Sequence, residues 1–165
     1  MGDGTVENLK AALAGESQAN RTYLAFAKKA EEEGHLQAAK LFRAAAEAET
    51  IHAMTYLELL GRIKGTEENL KAAMAGETHE YTTMYPGFVE TAKKEGESKA
   101  ATAFSWALKA EEGHANLYRA ALENLGKEPG PDYYVCQTCG WTSEGEAPER
   151  CPVCGRPKEQ FKRIG

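Results

Sequence analysis

Along residues 5–125, apolar side chains return every three or four positions, the spacing of one face of an α-helix. Glycines and short polar breaks divide the pattern into four helices, expected over about 5–33, 36–60, 66–96 and 98–125. Gly34, Gly61, Gly96 and Gly126 stand where helices should stop, and Thr5, Thr66 and Ser98 stand where N-caps are expected. After residue 126 the pattern changes. Lys127-Glu128-Pro129-Gly130-Pro131 reads as a turn-rich linker, and residues 132–165 show cysteines, prolines and little helical periodicity. The expected organisation is a helical domain over 1–126, a linker over 127–131 and a small module over 132–165, too short to build much of a core unaided.

The helical pattern is written twice. ENLKAALAGES at 7–17 returns as ENLKAAMAGET at 68–78, an offset of 61. Farther along, Phe42, Ala46, Glu49, His52, Tyr56 and Leu60 return as Phe104, Leu108, Glu111, His114, Tyr118 and Leu122, at an offset of 62. The slip falls inside the third helix: Glu16 matches Glu77 at 61, whereas Tyr23 matches Tyr85 and Phe26 matches Phe88 at 62. One extra residue within a helix predicts a π-bulge, placed between about Glu80 and Pro86, where the proline disturbs the hydrogen-bond ladder anyway.

Each stripe carries acid where a core-facing helix should be apolar. At about 100° per residue, Leu9, Leu13, Asn20, Tyr23 and Ala27 cluster around Glu16. Leu70, Met74, Tyr81 and Met84 do the same around Glu77, with Glu80 on that face and only Ala19 as its counterpart in the first helix. Glu49 and His52 share the stripe of the second helix, Glu111 and His114 that of the fourth. Burying one carboxylate costs several kcal/mol, and clustering like charges costs more. No matching set of Lys or Arg shares these faces, so cations are the economical solution. A Glu on each of two helices plus Glu-x-x-His on two others is the ligand set of a two-metal carboxylate site in a four-helix bundle. Oxygen-rich donors with one imidazole per metal suit iron or manganese better than zinc. One Glu-x-x-His alone is a weak signal in a Glu-rich helix; two at equivalent positions of a repeat are a strong one. Tyr23 and Tyr85 face the same site, either as core aromatics or as hydroxyl donors to the carboxylates. His79 reads as a surface residue, His35 as a helix-start residue and Glu31–Glu33 as a solvated run.

Composition narrows the partners. The net charge of −5 with scattered basic residues gives no reason to expect nucleic acid, and no apolar run is long enough to span a bilayer. The N-terminus MGDGTVENLK lacks the basic and apolar regions of a signal peptide, so a cytoplasmic setting is expected. All four cysteines, Cys136, Cys139, Cys151 and Cys154, fall in the small module as two Cys-x-x-Cys pairs. That grouping reads as a tetrahedral thiolate site for zinc or a single iron rather than as disulfides. Tyr133, Tyr134, Trp141 and Phe161 would pack over it as a small aromatic core.

With both constellations in hand, the chain resembles the rubrerythrins over almost its whole length. The residues that carry the resemblance are Glu16, Glu49-x-x-His52, Glu77-x-x-Glu80, Glu111-x-x-His114 and the tail YVCQTCGW…CPVCG. The resemblance implies a mainly α fold: a ferritin-like four-helix bundle followed by a rubredoxin-like domain. It implies three irons per chain, two in a di-iron site and one held by the cysteines. Glu49 and Glu111 would bridge the di-iron site, and Glu77 and His114 would complete one iron. Glu16 would bind the other, with Glu80 and His52 exchanging as its ligand between oxidation states. The implied activity is reduction of hydrogen peroxide to water in oxidative-stress defence. Electrons would come from a redox protein or reductase and pass through the single iron.

Two further readings stay open at this level: a ferroxidase or iron-storage protein with a structural zinc ribbon, and a non-catalytic scaffold with zinc in both places. The surplus donor Glu80 favours the enzyme, because storage needs no seventh ligand. A reach argument bears on assembly. In ferritin-like bundles the second and third helices run parallel, so their connection must travel about 30 Å between His52 and Glu77 levels. Leu60 to Thr66 spans at most about 21 Å. The expectation is a homodimer, with the first two helices of one chain paired with the last two of another; early fraying of the second helix, or an up-down-up-down bundle within one chain, is the competing reading.

Overall fold

In the computed structural model, residues 1–127 and 130–165 are described; of the expected linker, residues 128 and 129 lie outside the described residues. The chain forms two compact units, Met1–Lys64 and Gly65–Gly165.

The first unit is a helical hairpin of α1 (Asp3–Glu32) and α2 (Leu36–Leu59). The turn between them is built on Gly34, whose φ of 80° is open to glycine and costly to other residues. The Gly34 N–H donates to the Glu31 carbonyl and the His35 N–H to the Ala30 carbonyl, closing the helix with a Schellman motif. The hairpin packs on small residues: Ala27 and Ala30 of α1 and Ala39 and Ala46 of α2 are its buried side chains. Asn20 of α1 ties the two helices together, donating to the Ala46 carbonyl at 2.7 Å and to the Thr50 hydroxyl at 2.9 Å.

The second unit starts with the same plan. Here α3 (Thr66–His79) runs into a π-helical turn over Glu80–Met84 and continues as α4 (Tyr85–Lys94), and α5 (Ser98–Glu123) returns alongside. The π turn falls within the interval that the offset slip predicts. Gly96 repeats the Gly34 turn, with φ 76° and the Glu97 N–H donating to the Ala92 carbonyl. Buried alanines again form the contact, Ala92 on α4 and Ala101, Ala110 and Ala115 on α5. Pro86 sits in the first turn of α4, directly after the π turn, where the helix already departs from the regular α ladder.

The expected N-caps are displaced. Thr66 and Ser98 are the first helical residues, preceded by Gly65 and Glu97 at the cap positions, and Thr5 lies inside the first turn because α1 starts at Asp3. None of the helix starts has a side-chain cap hydrogen bond, so hydroxyl residues here mark the boundary without closing it. His35 occupies the cap position of α2, as a helix-start residue should.

The unit ends in a three-stranded antiparallel sheet of β1 (Tyr133–Cys136), β2 (Thr142–Glu144) and β3 (Phe161–Ile164), ordered β2-β1-β3. β1 and β2 are joined by the first cysteine turn, and Val135 pairs with Thr142 across it. Trp141 meets Phe161 edge-on, with ring centroids 6.2 Å apart. Tyr133 also lines a cavity of about 500 Å³ with Leu70 and Tyr118 of the helices and with Glu77, His114 and Thr142. No helix is long and apolar enough among the described residues to cross a membrane.

Candidate metal centres

Each hairpin brings one acid from its first helix against a Glu-x-x-His pair on its second. In the first unit, Glu16 of α1 meets Glu49 and His52 of α2, with one donor atom of each residue within 4.8 Å of the others. His52 Nδ1 lies 2.9 Å from Glu49 Oε2. In the second unit, Glu77 of α3 meets Glu111 and His114 of α5 on the same criterion, and His114 Nδ1 lies 2.6 Å from Glu111 Oε2. Positions three apart lie on one helical face, which is why Glu and His converge in both units. The six donors that the repeat pairs in sequence therefore gather as two equivalent triads, one per unit.

Glu80 stands outside the triad of its unit, on the π turn, but its charge reaches Glu77 and Tyr85. His79 is exposed, as expected for the outer face, and so are Glu31, Glu32 and Glu33, the first of which pairs with Arg43 at 2.6 Å. Tyr23 packs against Phe42, with centroids 6.4 Å apart, and Tyr85 packs against Phe88 and Phe104.

The depth of the acids differs from the sequence expectation. Within the chain they are half-buried rather than enclosed, and no charged side chain among the described residues is fully buried. A two-helix hairpin has no interior deep enough for a glutamate. Its contact is made by alanines, and its ligand face remains partly open.

Electrostatics set the second triad apart. Burial pushes the Glu77 carboxyl up to about 7, the Glu111 charge pushes the same way, and His114 pulls against them. Burial also raises the Tyr85 phenol, with Glu111, Glu80 and Glu77 adding to it. A group of acids that holds an extra proton near neutrality is one in which a divalent cation gains by replacing that proton. Two carboxylates and one imidazole nitrogen are a donor set that iron accepts.

The four cysteines come from two matching turns. Gly140 N–H donates to the Cys136 carbonyl and Gly155 N–H to the Cys151 carbonyl, both at 2.9 Å. Gly140 and Gly155 have φ of 82° and 73°, which lets each turn fold back over its sulfurs. Cys136 and Cys154 sulfurs are 3.6 Å apart and those of Cys139 and Cys151 3.5 Å, with all four thiols free. A tetrahedral metal with bonds of about 2.3 Å needs sulfur edges of about 3.8 Å, so the cage is nearly set to size. Burial pushes the Cys136 thiol up, but backbone N–H groups of Thr138 and Cys139 outweigh it and hold the sulfur down at about 7. Burial raises the Cys139 thiol, with the Trp141 N–H pulling the other way.

Sequence reasoning missed one contact. The Thr142 hydroxyl on β2 lies 3.0 Å from His114 Nε2 on α5. Beside it, the Trp141 indole rests on the α5 backbone, where a Cβ at Gly113 would stand 3.5 Å from Nε1. The cysteine module is thus seated on the helix that carries Glu111 and His114. A threonine three positions after a cysteine carries no sequence signal of its own; only the fold joins it to a histidine in the other domain.

Paired carboxylate–histidine triads on helical hairpins, followed by a pair of cysteine turns, define a metalloprotein of the ferritin-like class with a rubredoxin-like domain. Comparison with known proteins agrees. The Rubrerythrin family model matches residues 7–122, and the model for the rubredoxin-like domain of rubrerythrin matches residues 134–162. Nigerythrin of Nitratidesulfovibrio vulgaris is 40% identical over 95% of this chain and 85% of its own length. The rubrerythrins of Porphyromonas gingivalis and N. vulgaris are 36% and 34% identical, covering 98% and 99% of this chain and 90% and 96% of theirs. A solved structure of nigerythrin in its fully reduced, all-ferrous state matches 99% of this chain and 88% of that one, with 38% identity and a TM-score of 0.60. The chain belongs to the rubrerythrin family, oxidoreductases that bind iron at a di-iron site and at a four-cysteine site.

Proposed function

We propose that the protein is a non-haem di-iron peroxidase that reduces hydrogen peroxide to water, with electrons relayed through an iron held by Cys136, Cys139, Cys151 and Cys154. The observation that carries this reading is the seating of the first cysteine turn on α5, with Thr142 against His114 and Trp141 against Gly113. A structural zinc ribbon in a storage protein has no need to touch a ligand of the carboxylate site. An electron carrier does, because proximity makes its delivery step intramolecular.

On this reading Glu16, Glu49, His52, Glu77, Glu80, Glu111 and His114 would hold two irons, and the four cysteines a third. Bound iron supplies the two electrons that, with two protons, convert one hydrogen peroxide to two waters. Around it the protein's task is to place donors and manage protons. Glu80, outside the Glu77 triad, is the spare carboxylate that can enter or leave coordination. Tyr85 keeps its phenolic proton near neutrality because burial and the neighbouring acids disfavour its anion. The working division is a ferritin-like domain over 1–126, a linker over 127–131 and a rubredoxin-like domain over 132–165.

The assembly follows from the split of the donors. The first hairpin carries three and the second four, counting Glu80, and a two-cation site would draw on both sets. The short connection after α2, from Leu60 to Gly65, supports pairing between hairpins of two chains in a homodimer. An electron-donating redox protein or reductase would complete the cycle in a cytoplasmic setting.

The test is spectroscopic. Protein reduced without oxygen is mixed with hydrogen peroxide, and the ferric-thiolate absorption is followed with peroxide consumption. Recovery of the absorption, with one peroxide consumed per two electrons, supports the reading. A colourless protein with zinc in the four-cysteine site, or peroxide consumption that bypasses the thiolate iron, refutes it.

A further inference from the structure

We propose that Thr142 is a positioning residue for His114: its hydroxyl, anchored on the Gly140 carbonyl, accepts the imidazole Nε2–H and so presents the Nδ1 lone pair on the side of Glu111 and Glu77. The inference rests on the reading of His114 as a ligand of the carboxylate-rich centre.

The direction of the hydrogen bonds follows from counting protons. Thr142 Oγ1 lies 3.2 Å from the Gly140 carbonyl oxygen and 3.0 Å from His114 Nε2. A carbonyl only accepts, so the Gly140 contact is satisfied when the single hydroxyl proton points to it, the arrangement we assign to the metal-loaded site. The hydroxyl oxygen then offers lone pairs alone to the imidazole, and a nitrogen carrying hydrogen satisfies them. A neutral imidazole with its proton on Nε2 has its lone pair on Nδ1. Nδ1 is the atom that faces Glu111, at 2.6 Å. Without a cation, Glu111 favours a proton on Nδ1 and so opposes Thr142. A cation at Nδ1 removes that opposition and leaves the Thr142 bond satisfied.

The hydroxyl is held firmly enough to orient a ring. Thr142 pairs with Val135 across the sheet, and the neighbouring Trp141 carbonyl accepts from the Cys136 N–H at 2.9 Å. The twin histidine differs. His52 has no hydrogen bond at Nε2 among the described residues, and its side chain is 51% exposed against 27% for His114. Two histidines that the repeat makes equivalent in sequence are thus held unequally in space. Partners of this kind are worth roughly 10–100-fold in metal affinity.

The experiment uses the full-length protein with zinc as a diamagnetic probe ion at the carboxylate site. Zinc affinity is titrated in the parent, T142V, T142S and H114A proteins carrying iron in the four-cysteine site, and exchange of the His114 Nε2 proton is followed by nitrogen-15 NMR in the parent, T142V and T142S proteins carrying zinc in both sites. The expected result is a slowly exchanging Nε2 proton in the parent and T142S. In T142V that protection should disappear and zinc affinity should fall about tenfold or more. The thiolate-iron absorption should be intact throughout, reporting a folded module. Parent-like affinity and protection in T142V overturn the inference, as does damage in T142S equal to that in T142V. If H114A leaves zinc affinity unchanged, the ligand reading itself fails; if H114A weakens zinc and T142V does not, only the role of Thr142 fails.

Discussion

Glu77 on α3 and Glu111 on α5 are close enough that, with burial, the Glu111 charge holds the Glu77 proton up to a pKa of about 7. Its ordinary value is 4.5. Below that value both folded and unfolded chains are protonated at this position. Between the two values the folded chain holds more proton than the unfolded one, so this contribution to stability is lost as pH rises. The metal-free protein should therefore unfold at a higher denaturant midpoint near pH 5 than this group allows above about pH 7. E77Q should flatten that slope relative to the parent. Equilibrium urea curves of both proteins across this range check it; parallel pH profiles would contradict it.

Metal loading should reverse the same dependence. A cation needs ionised Glu77 and Glu111, so binding improves as pH rises through about 7. Titration of ferrous ion into the apoprotein without oxygen, at several pH values, should show affinity climbing across that window and levelling off above it.

Glu80 and Glu77 should separate under substitution. Glu77 belongs to a preformed triad, so E77A should lower iron content at the carboxylate site. Glu80 stands on the π turn outside that triad, so E80A should retain most of its iron yet lose about tenfold or more in peroxide turnover. Metal analysis beside peroxide assays distinguishes the two. Equal iron loss in both variants would show Glu80 to be an ordinary ligand.

A complementation experiment tests the exchange of hairpins. One chain carries E16A and E49A, and a second carries E77A and E111A. If helix pairs are exchanged between chains, their heterodimer holds one site with all its acids intact and one with only Glu80 left. Co-refolded mixtures should then recover up to half the parent activity per heterodimer. If each chain builds its own site, both stay defective and the mixture stays inactive.

The link between α1 and α2 has a measurable value. Asn20 makes two hydrogen bonds to α2. N20A should destabilise the protein by about 1–2 kcal/mol through the loss of both bonds between the helices, although the Ala46 carbonyl keeps the Thr50 hydroxyl as a donor. The thiolate-iron spectrum should be untouched. Thermal or urea unfolding followed by far-ultraviolet circular dichroism gives the number.

Much of this was legible because the repeat is written in chemistry as well as hydrophobicity. The slip from 61 to 62 between Glu16/Glu77 and Tyr23/Tyr85 needs only counting, and a helix can absorb one residue only by widening a turn. Gly34 and Gly96 announce their turns because few other residues tolerate the backbone they need. The triads were legible because Glu-x-x-His places both groups on one face wherever a helix forms. Caps were misread because Thr66 and Ser98 are good cap residues that α3 and α5 take as their first turn instead. The depth of the acids was overestimated because periodicity gives the direction of a side chain, not how much protein lies over it. Thr142 was invisible, since its partner His114 is 28 residues away and on a different kind of element.

The π turn at Glu80–Met84 is also the point where the two hairpins fall out of phase. Removing a single residue from it would restore the offset of 61 from Glu16/Glu77 through Tyr23/Tyr85 and bring the third helix back into step with the first. In helix phase, one residue separates the two halves, so a one-residue deletion asks directly how far their donor faces can be made interchangeable.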